Sequence, residues 1–224
     1  MIQRLTLLTF VFSFLILSCE KQQLKESYLA LGDSYTIGEA VSENERWPVQ
    51  LVKALEGKNR ILDSPKIIAQ TGWTTADLKM GIDNAILDFP YDWVSLLIGV
   101  NNQYQGKSIS NFKEEFEQLL SQALLFAGNK KDRIFVVSIP DWGEMPFAKN
   151  RDREKIATEI DNFNQVIYEI CAQKEIAFID ITPISRTVEA HPEFVASDGL
   201  HPSGVQYSQW VKEIIPFFLK TSDD

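Results

Sequence analysis

Apolar residues in this chain follow two alternating rhythms. Short runs with little polar interruption occur at "YLALG" (28–32), "KIIAQ" (66–70), "WVSLLIG" (93–99), "RIFVVSI" (133–139) and "IAFIDI" (176–181), and each reads as a strand. Between them the apolar positions recur every three or four residues, as on one face of a helix. Helices are predicted over 47–56, with Pro48 in the first turn, over 75–89 on Leu78, Ile82, Ile86 and Leu87, from Phe112 to about Ala127, over 154–173, and from near Ser203, with Pro216 expected to kink or end the last. Asn111 and Glu114 resemble a capping pair for the third of these. Strands alternating with helices imply an α/β fold in three layers, α/β/α, around a five-stranded parallel sheet. The doubly wound strand order 2-1-3-4-5 is the expected one.

The first apolar run belongs to neither rhythm. Leu5–Ser18 follows the lone charge of Arg4 and is almost purely apolar. It is shorter than the about 20 residues of a membrane span and suits a signal-peptide core. It ends in Leu17-Ser18-Cys19 and gives way at once to Glu20-Lys21-Gln22-Gln23. That junction resembles a bacterial lipoprotein signal, cleaved before a cysteine whose sulfur is lipidated. The expectation is a signal peptide over 1–18, a lipidated Cys19 with a short linker over 19–26, and one domain over 27–220. The domain is then extracytoplasmic, anchored to a bacterial membrane by the N-terminal lipid. An uncleaved anchor helix and an ordinary secretory signal are the alternatives.

Composition narrows the partners. Of 224 residues 45% are hydrophobic, enough for one sizeable core. Acidic side chains outnumber basic ones 31 to 22, a net charge of −9 with no basic block, which argues against a nucleic-acid groove or a polybasic membrane patch. Cys19 and Cys171 are the only cysteines, so lipidation of the first leaves the second, on the apolar side of a predicted helix, without a disulfide partner. No glycine-rich phosphate or dinucleotide motif follows a strand. Two cysteines and two histidines make no structural zinc pattern, so neither metal nor cofactor is expected.

In a doubly wound sheet, ligands bind beyond the carboxyl ends of the strands, near the reversal of winding. The residues placed there are Gly32-Asp33-Ser34-Tyr35 after the first strand, Thr71-Gly72-Trp73 after the second, and Gly99-Val100-Asn101-Asn102 after the third. In the order 2-1-3 these strands are neighbours, so a hydroxyl, a glycine N–H and a carboxamide converge on one crevice. Such a set suits acyl transfer: a nucleophile beside donors for a developing oxyanion. Of the two histidines, His201 has the better chemistry. Asp198-Gly199-Leu200-His201 is the length of one β-turn, which folds the carboxylate back towards the imidazole. The connection over 182–200 is long enough to carry that turn across the sheet. His191 has only Glu189 nearby and reads as a surface-loop residue.

The set Gly32-Asp33-Ser34, Gly72, Asn101 and Asp198-x-x-His201, in this order along nearly all of the expected domain, resembles the SGNH hydrolases, also called GDSL-type esterases and lipases. The resemblance implies a flavodoxin-like fold and ester hydrolysis without metal or cofactor. It implies Ser34 as nucleophile, His201 as general base and then acid, and Asp198 as the group that orients His201. It also implies an oxyanion hole of the Ser34 N–H, the Gly72 N–H and the Asn101 side chain. Tyr35 stands where leucine is common, and Asn102 where the family usually has aspartate.

Blander readings stay beside these. Ser34 could cap a helix, Gly72 and Asn101 could be turn residues, and Asp198 could cap the last helix. Tyr35, Trp73, Tyr104 and Trp142 fall on the same face and are candidates to stack a sugar or line an acyl slot. The competing functional class is a non-catalytic glycan- or lipid-binding lipoprotein on the same fold. A flavin- or nucleotide-binding relative shares only the fold. Expected substrates are carbohydrate O-acyl esters, short-chain esters or lysophospholipids; the sequence does not specify an oligomeric state.

Overall fold

A computed structural model describes residues 25–58 and 60–220. The expected signal peptide and Cys19 lie outside the described residues. Strands β1 (Tyr28–Gly32), β2 (Lys66–Ala69), β3 (Trp93–Leu97), β4 (Ile134–Val137) and β5 (Ala177–Ile179) form one sheet in the order β2-β1-β3-β4-β5. Every pairing is parallel, as the alternation of strands and helices implies. All residues of β1, β3 and β4 are buried, which is why these strands read as unbroken apolar runs. Glu26, in the expected linker, bridges Leu62 and meets Arg60 and Arg133, so the fold begins slightly before β1.

Among the described residues eight α-helices accompany the sheet: α1 (Ser34–Ile37), α2 (Trp47–Glu56), α3 (Thr75–Asp83), α4 (Val100–Tyr104), α5 (Ile109–Phe126), α6 (Arg153–Lys174), α7 (Thr182–Ser185) and α8 (Gly204–Lys220). Trp47, Trp93, Trp210 and Phe135 are fully buried and help join the layers into one core. Cys171 lies in that core, where burial pushes its thiol up to about 12.

The observed elements depart from the periodic pattern in a few places. Helix α3 ends at Asp83 rather than 89, and Ile86, which continues the period, is 86% exposed. Helix α5 starts at Ile109, and its cap is Ser108, whose hydroxyl accepts the Asn111 N–H at 3.2 Å; Asn111 itself is inside the helix. Pro216 does not end α8, which continues to Lys220. Helix α1 corresponds to the alternative in which Ser34 caps a helix, and α4 has no counterpart in the periodic pattern; both sit directly after strands at the carboxyl edge of the sheet. The long connections are also partly ordered. Short 3-10 turns occupy Trp142–Glu144, Pro146–Ala148 and Pro192–Phe194, and Met145, Val188 and Phe194 form a small satellite core beneath them.

Candidate active site

Strand β1 delivers Ser34 to the sheet's carboxyl edge through a tight joint. A side-chain carbon on Gly32 would lie 2.2 Å from Thr36 Oγ1 and 2.6 Å from the Leu97 carbonyl, so close approach fixes glycine there. Asp33 then caps α1, its Oδ1 accepting the Tyr35 N–H at 3.0 Å. The cap of this helix is therefore Asp33 and not Ser34. As the first residue of α1, Ser34 keeps its own N–H outside the helix's hydrogen-bond pattern.

Ser34, Tyr35, Val100, Asn101, Tyr104, Trp142, Phe147, Leu200 and His201 line one cavity of about 180 Å³. Ser34 is 4% and His201 8% exposed, so both face this space with little contact to bulk water. His201 arrives on the turn that precedes α8. Val195 bridges Pro202, the Ala196 N–H donates to the His201 carbonyl at 2.8 Å, and the Phe147 N–H donates to the Gly199 carbonyl at 2.9 Å. The first two close the histidine turn on itself, and the last ties it to the loop bearing Trp142. Asp198 Oδ1 accepts the Leu200 and His201 N–H groups, each at 3.0 Å, while Oδ2 lies 2.5 Å from His201 Nδ1.

A carboxylate only accepts, so this contact places the neutral ring's proton on Nδ1 and leaves Nε2 as a base. Burial raises the Asp198 carboxyl, but the bonds from the His201 ring and from the His201 and Leu200 amides outweigh it. The group sits below the ordinary aspartate value. Tyr35 lies edge-on to His201, with ring centroids 5.7 Å apart. Burial, and then the negative charges of Asp33, Asp141 and Asp198, hold its phenol protonated far above its usual range.

The two other residues expected as donors lie at neighbouring strand ends. Gly72 has φ +85° in the turn after β2, where the Trp73 N–H donates to the Gln70 carbonyl at 3.3 Å. Asn101 lies on α4 and its Nδ2 donates to the Trp73 carbonyl at 2.9 Å, which connects α4 to that turn. The amide group has a second N–H. Asn101 lines the cavity; Gly72 is not among the lining residues.

The four aromatic candidates separate. Tyr35, Tyr104 and Trp142 line the cavity, with Tyr104 and Trp142 rings 5.3 Å apart. Trp73 does not: its indole lies over Gly81 of α3, 2.2 Å from where a side-chain carbon would be. Phe147, in the Trp142 loop but not singled out from the sequence, completes the wall. Trp142 is held from behind, its Nε1–H donating to Gln103 Oε1 at 2.8 Å while Gln103 donates to Glu159. Asp141 fixes the same loop, accepting the Gly143 N–H and pairing with Arg186, both at 2.9 Å. His191 is exposed and stacked on Phe194, as a surface-loop residue.

A buried serine, a histidine with a carboxylate on its far nitrogen, and a carboxamide around one cavity have the form of a serine-type hydrolase site. The sequence agrees with that class. Residues 30–208 match the model of the GDSL-like lipase/acylhydrolase family, and the chain belongs to this family of ester-hydrolysing enzymes. Solved structures share the fold at low identity. A lipase/acylhydrolase from Enterococcus faecalis is 22% identical, with a TM-score of 0.65 over 85% of this chain and 94% of that one. A family 3 carbohydrate esterase from Clostridium thermocellum is 20% identical, with a TM-score of 0.68 over 88% and 96%. A mutant acetyl-xylooligosaccharide esterase from Geobacillus Stearmophilus is 20% identical, with a TM-score of 0.61 over 86% and 93%. No curated protein matches the sequence.

Proposed function

We propose that the protein is a serine esterase that cleaves small acyl groups, acetyl above all, from carbohydrate or other short-chain esters through an acyl-enzyme. The observation that carries this reading is the sharing of one cavity by Ser34 and His201, with Asp198 on the histidine's Nδ1 at 2.5 Å. Ser34 Oγ attacks the ester carbonyl as its proton passes to His201 Nε2. Asp198 holds the ring in the required tautomer and stabilises the imidazolium. The Ser34 N–H and the second N–H of Asn101, both at the cavity, receive the oxyanion; the Gly72 N–H is a third donor only on the family resemblance, since that residue stands outside the cavity lining. Collapse of the tetrahedral intermediate releases the alcohol, protonated by His201, and water then attacks the acyl-enzyme by the same route.

Cavity size supports the preference for short chains. About 180 Å³ falls below the roughly 300–1,000 Å³ usual for drug-sized ligands, and Tyr104, Trp142 and Phe147 form an aromatic wall along it. Carbohydrate esterases among the structural neighbours support a sugar as the alcohol. The test is a hydrolysis screen of p-nitrophenyl esters from acetate to decanoate together with acetylated xylo-oligosaccharides. The reading predicts a maximum at acetate to butyrate and release of acetate from the sugars; a maximum at octanoate or longer overturns the acyl assignment.

The same proposal extends to location: the leader at 1–18 directs export and Cys19 carries the lipid that holds the domain to the membrane. Metabolic labelling with a palmitate analogue should mark the expressed full chain and not Cys19→Ala. Equal labelling of both would remove the anchor from the account.

A further inference from the structure

Two successive residues of α4 grip the segment that links β2 to α3. Asn101 Nδ2 donates to the Trp73 carbonyl at 2.9 Å. Asn102, 1% exposed, does more: its Oδ1 accepts the Thr75 N–H at 3.0 Å and its Nδ2 donates to Thr75 Oγ1 at 2.6 Å. The Thr75 hydroxyl, itself buried, donates in turn to Glu115 Oε2 on α5. Three helices meet at this hydroxyl.

Proton count fixes the direction of every bond. The Thr75 hydroxyl has one proton, and the Glu115 carboxylate can only accept it. Thr75 Oγ1 must therefore receive its other bond from residue 102. That residue also has to accept the Thr75 N–H, so it needs an acceptor on one atom and a donor on the other. Asparagine supplies both in the space of an aspartate. The charged member of the network is Glu115.

We propose that Asn102, Thr75 and Glu115 form a clamp of fixed hydrogen-bond polarity that holds Asn101 in register with the Gly72–Trp73 turn. Glu115 is thus a positioning residue for the oxyanion donors, although it lies on a helix that contributes no residue to the cavity lining. The proposal rests on the esterase reading for the meaning of that register. Its chemistry is separable from that reading. A carboxylate at 102 beside the carboxylate at 115 would leave two acceptors competing for one hydroxyl proton, with one buried oxygen unpaired. Replacing Glu115 by glutamine keeps an acceptor for Thr75 and conserves the polarity. Making both changes reverses it: Thr75 donates to the new carboxylate at 102 and receives from the new amide at 115.

The test compares wild type, Glu115→Gln, Asn102→Asp and the double variant by kcat and KM on p-nitrophenyl acetate and by melting temperature, with Ser34→Ala as the blank. Glu115→Gln should stay within about twofold of wild type, because no group loses a partner. Asn102→Asp should lower kcat about tenfold or more with little change in KM, since misplaced oxyanion donors weaken the transition state rather than substrate binding. The double variant should return to within about threefold of wild-type kcat and recover the melting temperature lost by Asn102→Asp. A double variant no better than Asn102→Asp, or an Asn102→Asp enzyme as active as wild type, overturns the clamp. If Asn102→Asp does not fold, a folded and active double variant supports the clamp and an unfolded one overturns it. A wild type no faster than the Ser34→Ala blank overturns the esterase reading and with it the positioning role. The melting temperatures still decide the polarity in that case.

Discussion

Asp33 has the same side chain as Asp198 but a different electrostatic position. It is fully buried, its Oδ1 accepts the Tyr35 N–H, and its Oδ2 has no hydrogen-bond partner among the described residues. Burial, opposed only in part by the Tyr35 amide and its own backbone, pushes its carboxyl up to about 7. The folded state therefore keeps a proton that an unfolded aspartate loses near pH 4. Between these values the folded chain binds more protons than the unfolded one, so this group makes stability fall as pH rises from about 4 to about 7, and flatten above. Asp33→Asn keeps an acceptor for Tyr35 and removes the titration. The difference in melting temperature, variant minus wild type, should grow steadily across that window; a constant difference would contradict the assignment. Asn101 has a kinetic prediction of its own. Loss of one oxyanion donor costs about 2.7–4 kcal/mol in the transition state, so Asn101→Ala should lower kcat by about 10²–10³ with a small change in KM. A loss under threefold would leave Asn101 as a structural link to Trp73 only.

At the scale of elements, the site depends on joints between strands and very short helices. Gly32 allows β1 to pass into α1 against Thr36 and the Leu97 carbonyl. Gly32→Ala forces the strand and helix apart and should destabilise by about 1–3 kcal/mol, the usual effect of overpacking, measurable by urea unfolding. An unchanged midpoint would show that the joint yields freely. The loop wall offers a second handle. Trp142→Ala removes a buried part of the cavity wall, so on the proposed short-acyl reading activity should shift from acetate towards hexanoate; an unchanged chain-length profile would place the acyl group elsewhere. The sequence shows these joints unevenly. The convergence of Ser34, Asn101 and His201 on one cavity is legible, because two of them follow strands and the third closes a turn whose spacing brings Asp198 back to it. Helices α1 and α4 were not, because four or five residues carry no period; they are set by the Asp33 cap and the start at Gly99. Trp73 stands apart from the cavity because its indole packs on Gly81, a contact between a loop and a helix that no local spacing signals. Phe147 and Gln103 were missed for the same reason, since their roles arise from what lies opposite them.

For the whole molecule, strand order followed from the alternation of buried runs with amphipathic segments, and the observed order β2-β1-β3-β4-β5 has its reversal of winding beside β1. That reversal puts Ser34 between the ends of β2 and β3. The long excursion from β5 to α8 then brings His201 back over the sheet, tied down by the satellite core of Met145, Val188 and Phe194. End positions of helices were less legible, because Ile86 and Phe89 continue an apolar period while facing solvent. The central claim is that this folding path makes Ser34 a nucleophile activated by His201. The most direct measurement is covalent labelling with a fluorophosphonate probe, read by peptide mass. One adduct is expected, on Ser34, absent in Ser34→Ala and strongly slowed in His201→Ala with the fold intact. A wild-type chain that does not react, or one that reacts equally fast without His201, would contradict it.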